Sequence, residues 1–427
     1  MRLKSFLILL PFFLFYSVNC LSEKQYTNPV VFPSNYGMNS SADPFVFKDD
    51  DGKYYMYVTG AGYPCFSSSD LVNWKYEKNV FKKATAKWGK DRFWAPEMVK
   101  LGNTYYLNYT AGDASGILRI GMAKSNSPLG PFQDVANEPF YKHAEDRACI
   151  DSHIFFDDDG KVYMYYANDV STNPSNRSEV WVIELEADLS GTIGTAKLLF
   201  YPTQAWEKKT SGKFWNEGPY MLKHNGKYYL MYSGNLYSTG NYAIGYATSN
   251  SPTGPFTKYA KNPILSQTSS VSGPGHNSVA ASPDNTELYC VYHTHIDLVK
   301  KGGERMANID KMGFTEEGVL YINGPTKTPQ NYPSSGSPSG SNNPTTRPEI
   351  AIQPNIAMNH IEVESFSGIK NLNIFNTNGK LIYSSVADTY DNRNTIQVPI
   401  FTFPAGIYFV QVEDKKNKLF NAKFLKI

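Results

Sequence analysis

Asp51-Gly-Lys-Tyr-Tyr-Met-Tyr57 begins with a turn and continues with aromatic and apolar residues, and this form returns four times along the chain. The later copies are Gly102-Asn-Thr-Tyr-Tyr-Leu-Asn-Tyr109, Asp159-Gly-Lys-Val-Tyr-Met-Tyr-Tyr166, Asn225-Gly-Lys-Tyr-Tyr-Leu-Met-Tyr232 and Asn285-Thr-Glu-Leu-Tyr-Cys-Val-Tyr292. Asp-Gly and Asn-Gly before such residues are typical of hairpins. The copies lie about 60 residues apart, which leaves room for four strands each. Five such units predict an all-β chain whose main domain is a five-bladed β-propeller.

A second repeated string agrees with this spacing. Ser125-Asn-Ser-Pro-Leu-Gly-Pro-Phe132 recurs as Ser249-Asn-Ser-Pro-Thr-Gly-Pro-Phe256, and each copy follows a strand-like segment. No long stretch shows the periodicity of a helix. A pair of β-sandwiches is the competing fold, but it does not require a fivefold repeat.

The composition suits a packed β-protein. Aromatic residues make up 15% of the 427 residues, with 31 tyrosines, and such residues favour strands and also suit surfaces that stack on sugars. The formal net charge of only +2 gives no indication of nucleic acid as a partner. The four cysteines are widely spaced and lack metal-ligand spacing, so we expect buried thiols.

The first 20 residues have the form of a secretory signal. A basic start is followed by a short apolar run from Phe6 to Phe15 and then by small or polar residues up to Cys20. This predicts a secreted or cell-surface protein. A membrane anchor, or acylation of Cys20 as in a lipoprotein, are the alternatives.

Carboxylates recur at one place in the repeat. The positions twelve residues before the repeat tyrosines 55, 106, 163, 229 and 289 hold Asp43, Trp94, Asp151, Glu217 and Asn277. Equivalent positions of successive blades lie at equal height around a propeller axis, so three carboxylates are predicted to converge in one funnel, with His276 beside the fifth position.

Such a cluster has little structural use, because like charges in one cavity are unfavourable when all are ionised. Two explanations remain, a cation between the carboxylates or acid/base catalysis with pKa values pushed apart. Trp94 offers a face for sugar stacking. Together these residues predict cleavage of a glycosidic bond.

Residues 28–325 resemble glycoside hydrolase family 43, a family of inverting five-bladed propellers. The resemblance rests on the segments Ala42-Asp43-Pro44, Trp94-Ala-Pro-Glu97, Ile150-Asp151 with Asp157-Asp-Asp-Gly-Lys161, Asn216-Glu217-Gly218-Pro219 and Gly273-Pro-Gly-His276-Asn277. It implies that Asp43 is the general base, that Glu217 is the general acid, and that Asp151 orients the acid and tunes its pKa. Ser152 departs from the family, where a proline is common after this aspartate.

The resemblance also implies roles for two further residues and for a metal. His276 binds a cation, through water, or a water molecule at the channel centre, and Arg305 contacts the sugar. No cofactor is required, but Ca²⁺ is possible in the central channel. His293 and His295 share one face of a strand, where they line the channel or serve a structural role. Glu97 lies off the converging position and is interpreted as a structural hydrogen-bonding carboxylate.

The expected substrate is a plant cell-wall pentosan. We expect an exo-acting α-L-arabinofuranosidase or β-xylosidase. An endo-arabinanase, a galactan-active glycosidase and a non-catalytic sugar-binding propeller remain as alternatives. Three carboxylates argue against the last, because a lectin has no use for them.

A tail follows the propeller, which we place at residues 28–326. Residues 327–349 form a Pro/Ser/Gly linker, and residues 350–427 alternate like a small β-sandwich. Pro404-Ala-Gly-Ile-Tyr-Phe-Val-Gln-Val412 and the Lys-Phe-Leu-Lys426 finish resemble the sorting domain of the type IX secretion system of Bacteroidetes. This implies that the secretion machinery is a partner. A carbohydrate-binding sandwich is the alternative, but the tail has no tryptophan.

Overall fold

The computed structural model describes residues 24–299, 301–335 and much of the tail. Within residues 350–426 the undescribed positions are 354–355, 358–359, 366–367, 377–378, 387–393 and 405. The predicted signal at residues 1–20 and residues 336–349 of the predicted linker lie outside the described residues. Across the described ranges, no helix is long and apolar enough to cross a membrane.

Five four-stranded antiparallel sheets follow one another along the chain, as expected for a five-bladed propeller. Blade one contains Ala42–Lys48, Tyr54–Thr59, Pro64–Ser68 and Lys75–Asn79, and blade two contains Asp91–Leu101, Thr104–Gly112, Leu118–Ser125 and Gln133–Asp134. Blade three contains Cys149–Phe156, Val162–Asn168, Glu179–Leu185 and Thr192–Phe200. Blade four contains Asn216–His224, Lys227–Gly234, Ala243–Ser249 and Thr257–Lys258, and blade five contains Gly275–Ala281, Leu288–His295, Arg305–Phe314 and Leu320–Ile322. The first strands of neighbouring blades contact one another, so they are the innermost strands.

A repeated hydrogen bond joins the blades near the start of each first strand. A backbone N–H of the first strand donates to a side chain on the second strand of the preceding blade. The pairs are Ala95 with Thr59 (2.7 Å), Asp151 with Thr110 (3.1 Å), His276 with Ser233 (2.7 Å) and Asp43 with His293 (3.1 Å). Between blades three and four, the N–H of Gly218 donates instead to the Asp151 carboxylate at 3.0 Å. Because the Asp43–His293 bond joins blade five to blade one, the five bonds form a closed ring.

Tyrosines fill much of the space between the blades. A buried phenol needs a partner for its hydroxyl group. Tyr57 of blade one donates to the carbonyl of Pro128 (2.7 Å), and the equivalent Tyr165 of blade three donates to the carbonyl of Pro252 (2.8 Å). Both prolines belong to the repeated Ser-Asn-Ser-Pro string, so this string satisfies a buried tyrosine of the preceding blade.

The segments that flank the blades pair with each other. Gln25–Tyr26 forms a two-stranded antiparallel sheet with Gln330–Asn331. Farther along, the N–H of Ser334 donates to Glu287 of blade five at 3.0 Å, and the Ser334 hydroxyl bonds to Asp284. The first residues of the predicted linker, up to position 335, therefore pack against the propeller.

The described tail residues form two sheets, as expected for a small β-sandwich. The smaller sheet contains Ile350–Gln353, His360–Ser365 and Thr395–Pro399, and the larger contains Ile356–Ala357, Leu419–Lys426, Gly406–Asp414, Ile369–Asn376 and Leu381–Val386. Alternate residues point inward and form an apolar core that includes Ile361, Val363, Leu372, Ile374 and Val410.

Ion pairs between described residues join the tail to the propeller. His360 Nε2 lies 3.3 Å from Asp50 Oδ1, and Lys426 Nζ lies 2.8 Å from Asp158 Oδ1. Both aspartates belong to hairpin turns at the far end of the innermost strands from the inter-blade ring. The tail therefore contacts the end of the propeller opposite the predicted site.

Truncation should separate the propeller from the tail at a specific residue. A chain that ends after Ser335 keeps the pairing of residues 330–331 and the Ser334 contacts, so we expect its melting temperature to match that of the intact propeller transition. A chain that ends after Lys327 loses both and should melt a few degrees lower. Calorimetry on the two truncations measures this difference. Failure of the longer truncation to fold would make the tail integral to the propeller.

Candidate active site

Each innermost strand contains a β-bulge, where its pairing with the second strand skips a residue. In every blade one bulge begins with a residue of positive φ: Asp43 (52°), Ala95 (42°), Asp151 (56°), Gly218 (56°) and His276 (50°). Strand Asp91–Leu101 has a second bulge, which contains Arg92 (48°). For a residue other than glycine this conformation costs about 1–3 kcal/mol. Bulges turn side chains toward a new direction and are frequent beside active sites. Their repetition marks this end of the strands as the functional end.

The bulges correct the register that was inferred from the sequence. A count of twelve residues reaches the bulged position at Asp43 and Asp151, but it misses that position by one residue in the other three blades. The reason is that the connection between the first two strands is one residue shorter in blades two and four, and one longer in blade five. His276, not Asn277, is therefore equivalent to the two aspartates, and Trp94 and Glu217 precede their bulges.

Asp43 is buried and held in its ionised form. Arg305 donates from Nη1 to Asp43 Oδ1 at 2.8 Å, and the Thr59 hydroxyl donates to Oδ2 at 2.5 Å. His276 Nδ1 lies 3.4 Å from the same Oδ1. Burial opposes ionisation, but the positive Arg305 and the His276 ring outweigh it and hold the pKa of Asp43 well below its ordinary value.

Glu217 has the opposite environment. Burial and the neighbouring charge of Asp151 raise the pKa of Glu217 well above its ordinary value, and the hydrogen bond from the Tyr242 hydroxyl (2.9 Å) opposes this only in part. The preceding residue, Asn216, is held by Lys258, whose Nζ donates to Asn216 Oδ1 at 2.8 Å. Glu217 is therefore held in place and disposed to carry a proton near neutral pH.

Asp151 is the third buried carboxyl group of the site, and its pKa is also shifted. Its Oδ2 accepts the N–H of Gly218, which follows Glu217, and lies 3.9 Å from His276 Nδ1. Burial raises the pKa of Asp151 to about 6, with Asp43 raising it further and His276 lowering it. The structure thus places Asp43 and Asp151 beside His276, and it places Asp151 against the amide that follows Glu217.

The remaining predicted residues lie around this centre. Trp94 precedes its bulge as Glu217 does, and it remains 37% exposed, so one ring face is available for stacking. Arg305 lies under the ring of Tyr237, 4.7 Å from its centroid, while it also binds Asp43. Glu97 bonds to His153 Nδ1 at 2.8 Å, which agrees with its interpretation as a structural carboxylate.

A directly bound calcium ion does not fit these residues. Ca²⁺ takes six to eight oxygen ligands, and among the described residues no three His, Cys, Asp or Glu side chains form a group that could hold a metal. A cation held near His276 through water stays a prediction from the sequence.

Taken together, the site places Asp43, whose pKa is lowered, near Glu217, whose pKa is raised, with Asp151 as a third carboxyl group beside them. This division is the one that general acid/base cleavage of a glycosidic bond requires. A family model of the glycosyl hydrolases of family 43 matches residues 26–320. The chain belongs to glycoside hydrolase family 43. It is a glycoside hydrolase, and a model of the secretion system C-terminal sorting domain matches residues 351–426.

Relatives with this catalytic domain act on several sugars. The β-D-galactofuranosidase of Aspergillus niger is 31% identical over 317 residues, which cover 69% of this chain and 84% of that enzyme. The arabinoxylan arabinofuranohydrolase of Paenibacillus polymyxa is 27% identical, over 66% of this chain but only 47% of its own length. The crystal structure of a thermostable family-43 glycoside hydrolase is 42% identical with a TM-score of 0.68, over 73% of this chain and 99% of that chain.

The structure adds Tyr242, which the sequence did not single out, to this family 43 site, and it gives the contacts of His293 and His295. Tyr242 stacks on His293 with ring centroids 5.6 Å apart, and it fits there because Gly275 has no Cβ to meet its ring. Burial, with the charge of Arg305, lowers the pKa of His293 to about 3, so the ring is neutral and accepts the Asp43 N–H. His295 instead bonds to Ser272 and to the Tyr237 carbonyl, in a structural role. No local motif marks Tyr242, because only folding brings it to Glu217.

Replacing Glu217 by glutamine should stabilise this enzyme at alkaline pH. Because the folded-state pKa of Glu217 is raised above 4.5, folded protein retains a proton that the unfolded chain releases. Stability therefore falls as pH rises above about 4.5 through the folded-state pKa. Glu217→Gln carries no such cost, so its melting temperature should exceed that of the native enzyme at pH 8 and converge with it below pH 4.5.

The exposed Glu316→Gln provides the matched control and should show no such divergence. A Glu217→Gln protein that is no more stable than the native enzyme at pH 8 would contradict the raised pKa.

Proposed function

We propose that this family 43 enzyme is an inverting, exo-acting hydrolase of plant cell-wall pentosans, an α-L-arabinofuranosidase or a β-xylosidase. In this proposal Asp43 is the general base, Glu217 is the general acid, and Asp151 orients Glu217 and adjusts its pKa. The observation that supports these roles is the opposite direction of two pKa shifts in one site, down for Asp43 and up for Glu217. A base must begin ionised and an acid must begin protonated.

The proposed reaction is a single displacement. A water molecule attacks the anomeric carbon from the side opposite the leaving group and loses a proton to Asp43. The bond from the anomeric carbon to the leaving oxygen breaks while Glu217 gives its proton to that oxygen. Asp43 ends protonated and Glu217 ends ionised, and exchange with solvent restores both. The configuration at the anomeric carbon is inverted.

The proposed substrate class follows from chemistry that the relatives' names have in common. The ring of α-L-arabinofuranose has the same configuration as that of β-D-galactofuranose, and the two sugars differ in the substituent on C4. A site for either furanoside can therefore admit the other when there is room for that substituent. The relatives named for galactofuranosides and for arabinoxylan arabinose support a terminal furanoside as substrate. Trp94 would stack on the sugar and Arg305 would contact it beside Asp43.

Substitutions at Asp43 and Glu217 should separate the two roles. Asp43→Asn should lose nearly all turnover on every substrate, because no group accepts the proton of water. Glu217→Gln should lose about 10²–10⁴-fold on natural glycosides, whose leaving oxygen needs a proton, and less on activated aryl glycosides. Initial rates on nitrophenyl arabinofuranoside, xyloside and galactofuranoside, and on arabinan and xylan, measure both effects. Equal small losses on both leaving groups would remove Glu217 from its role.

NMR of the first product tests the stereochemistry. Inversion predicts the anomer opposite to that of the substrate, and retention would defeat the mechanism. On linear arabinan, an exo-acting enzyme should release monosaccharide from the start, whereas an endo-arabinanase would first release oligosaccharides.

The proposed reaction requires no cofactor. A cation held through water near His276 would lie beside Asp43 and Asp151 and would supply positive charge to that end of the site. If such an ion matters, exhaustive chelation should lower both activity and melting temperature, and added Ca²⁺ should restore them. Unchanged values after chelation would remove the ion from the mechanism.

The sorting tail supports export of the enzyme. We propose that residues 1–20 direct it across the inner membrane and that the tail at residues 350–427 then engages the type IX secretion machinery. The enzyme would act outside the cell or at its surface, where its polysaccharide substrates lie.

A further inference from the structure

The ring of inter-blade hydrogen bonds has a different acceptor at one position. In four blades, the second-strand residue opposite the start of the bulge carries a side-chain acceptor for the next blade. These acceptors are Thr59, Thr110, Ser233 and His293. Ala167 occupies the equivalent position of blade three, where it pairs with Ile150. A methyl group cannot accept a hydrogen bond, so the Gly218 amide of blade four has no partner of the usual kind.

The missing acceptor is replaced by Asp151. Gly218 and Ala167 are both buried, and a buried backbone N–H is almost always paired because leaving it unpaired is costly. Asp151 Oδ2 accepts this N–H at 3.0 Å from the same blade as Ala167. This bond directs the carboxylate toward blade four, where Gly218 directly follows Glu217.

We propose that Ala167 is a positioning residue for the catalytic reaction. Its lack of an acceptor makes the Asp151 carboxylate the partner of the Gly218 amide, and this fixes Asp151 beside the acid Glu217. The proposal rests on the roles of Asp151 and Glu217 under the proposed function. In the other blades the side chain of the bulged residue does not have to accept this hydrogen bond. A hydroxyl group or an imidazole on the second strand already accepts the amide N–H of the following blade.

A simpler reading makes Ala167 small only for packing. It belongs to a compact apolar cluster with Leu118, Ala148 and Ile150. On that reading a serine at 167 would act only through its bulk, and a serine at the neighbouring, equally buried Ala148 would act in the same way. Ala148→Ser is therefore the matched control for Ala167→Ser.

Ala167→Ser places a hydroxyl where Ser233 has one in the next blade. We expect the new hydroxyl to take the Gly218 N–H and release the Asp151 carboxylate. The kcat on glycosides with poor leaving groups should then fall by about tenfold to a hundredfold. KM should change little, activated aryl glycosides should lose less, and the melting temperature should not fall. Ala148→Ser should show no such dependence on the leaving group. An Ala167→Ser enzyme with native kcat on both substrate types would overturn the proposal.

Stability measurements test the hydrogen bond without reference to activity. Asp151→Ala should melt about 2 °C or more below Asp151→Asn, because the Gly218 amide loses its acceptor in the alanine variant and keeps an oxygen acceptor in the asparagine variant. Both variants lack the buried carboxyl group, so the cost of its ionisation does not enter this comparison. Adding Ala167→Ser to Asp151→Ala should restore the lost stability but not the activity.

If Asp151→Ala is as stable as Asp151→Asn, or if serine at 167 gives no rescue, the amide does not need Asp151 and the proposal is wrong. The first comparison needs no variant at position 167, so it holds even if Ala167→Ser fails to fold. Full activity of Asp151→Ala and Glu217→Gln would instead refute the proposed catalytic roles, and the melting temperatures would still report the bond.

Discussion

The hydrogen bond from each bulged amide to the preceding blade is the interaction on which the rest of this site depends. A residue with positive φ is strained, and it persists only where the surrounding structure determines its conformation. Here the strained N–H of one blade binds a side chain of the blade before it, at four of five junctions in one form. The same bond therefore joins the blades and fixes the direction in which Asp43, Asp151 and His276 leave the backbone.

The three carboxylates differ because each has a different partner. Placing three carboxyl groups in one buried site disfavours their ionised forms. The three groups differ in how far their partners offset this cost. Asp43 receives the positive Arg305, Asp151 receives a backbone amide, and Glu217 receives only the neutral hydroxyl of Tyr242. The group with the least compensation is Glu217, whose pKa is raised well above its ordinary value. These unequal environments support the proposed roles of Asp43 as base and Glu217 as acid.

The two ends of the innermost strands differ in how their charged side chains are paired. At the far end, acidic hairpin turns are matched by lysines from the next blade, as for Asp49 with Lys100 (2.7 Å) and Asp157 with Lys223 (2.5 Å). The sorting tail adds Lys426 and His360 to the same turns. Acidic and basic side chains are paired at the end where the blades and the tail meet. At the candidate active site the three carboxyl groups are paired only in part. The sorting tail and the candidate active site thus lie at opposite ends of the propeller.

The sequence alone determined the number of blades, the tail and the convergence of Asp43, Asp151 and Glu217, because local hairpin signals repeat five times and each repeat carries its site residue at nearly the same place. It did not determine the register. The connection between the first two strands differs by one residue between blades, so a fixed count from the repeat tyrosines does not find the bulge in every blade. That count placed Asn277 at the position that His276 occupies. Only the tertiary structure revealed Tyr242 beside Glu217, decided which of His293 and His295 contacts Asp43, and showed that Ala167 lacks a side-chain acceptor. Contacts between blades join residues far apart in the chain, and whether a buried amide has a partner depends on what the neighbouring blade presents to it.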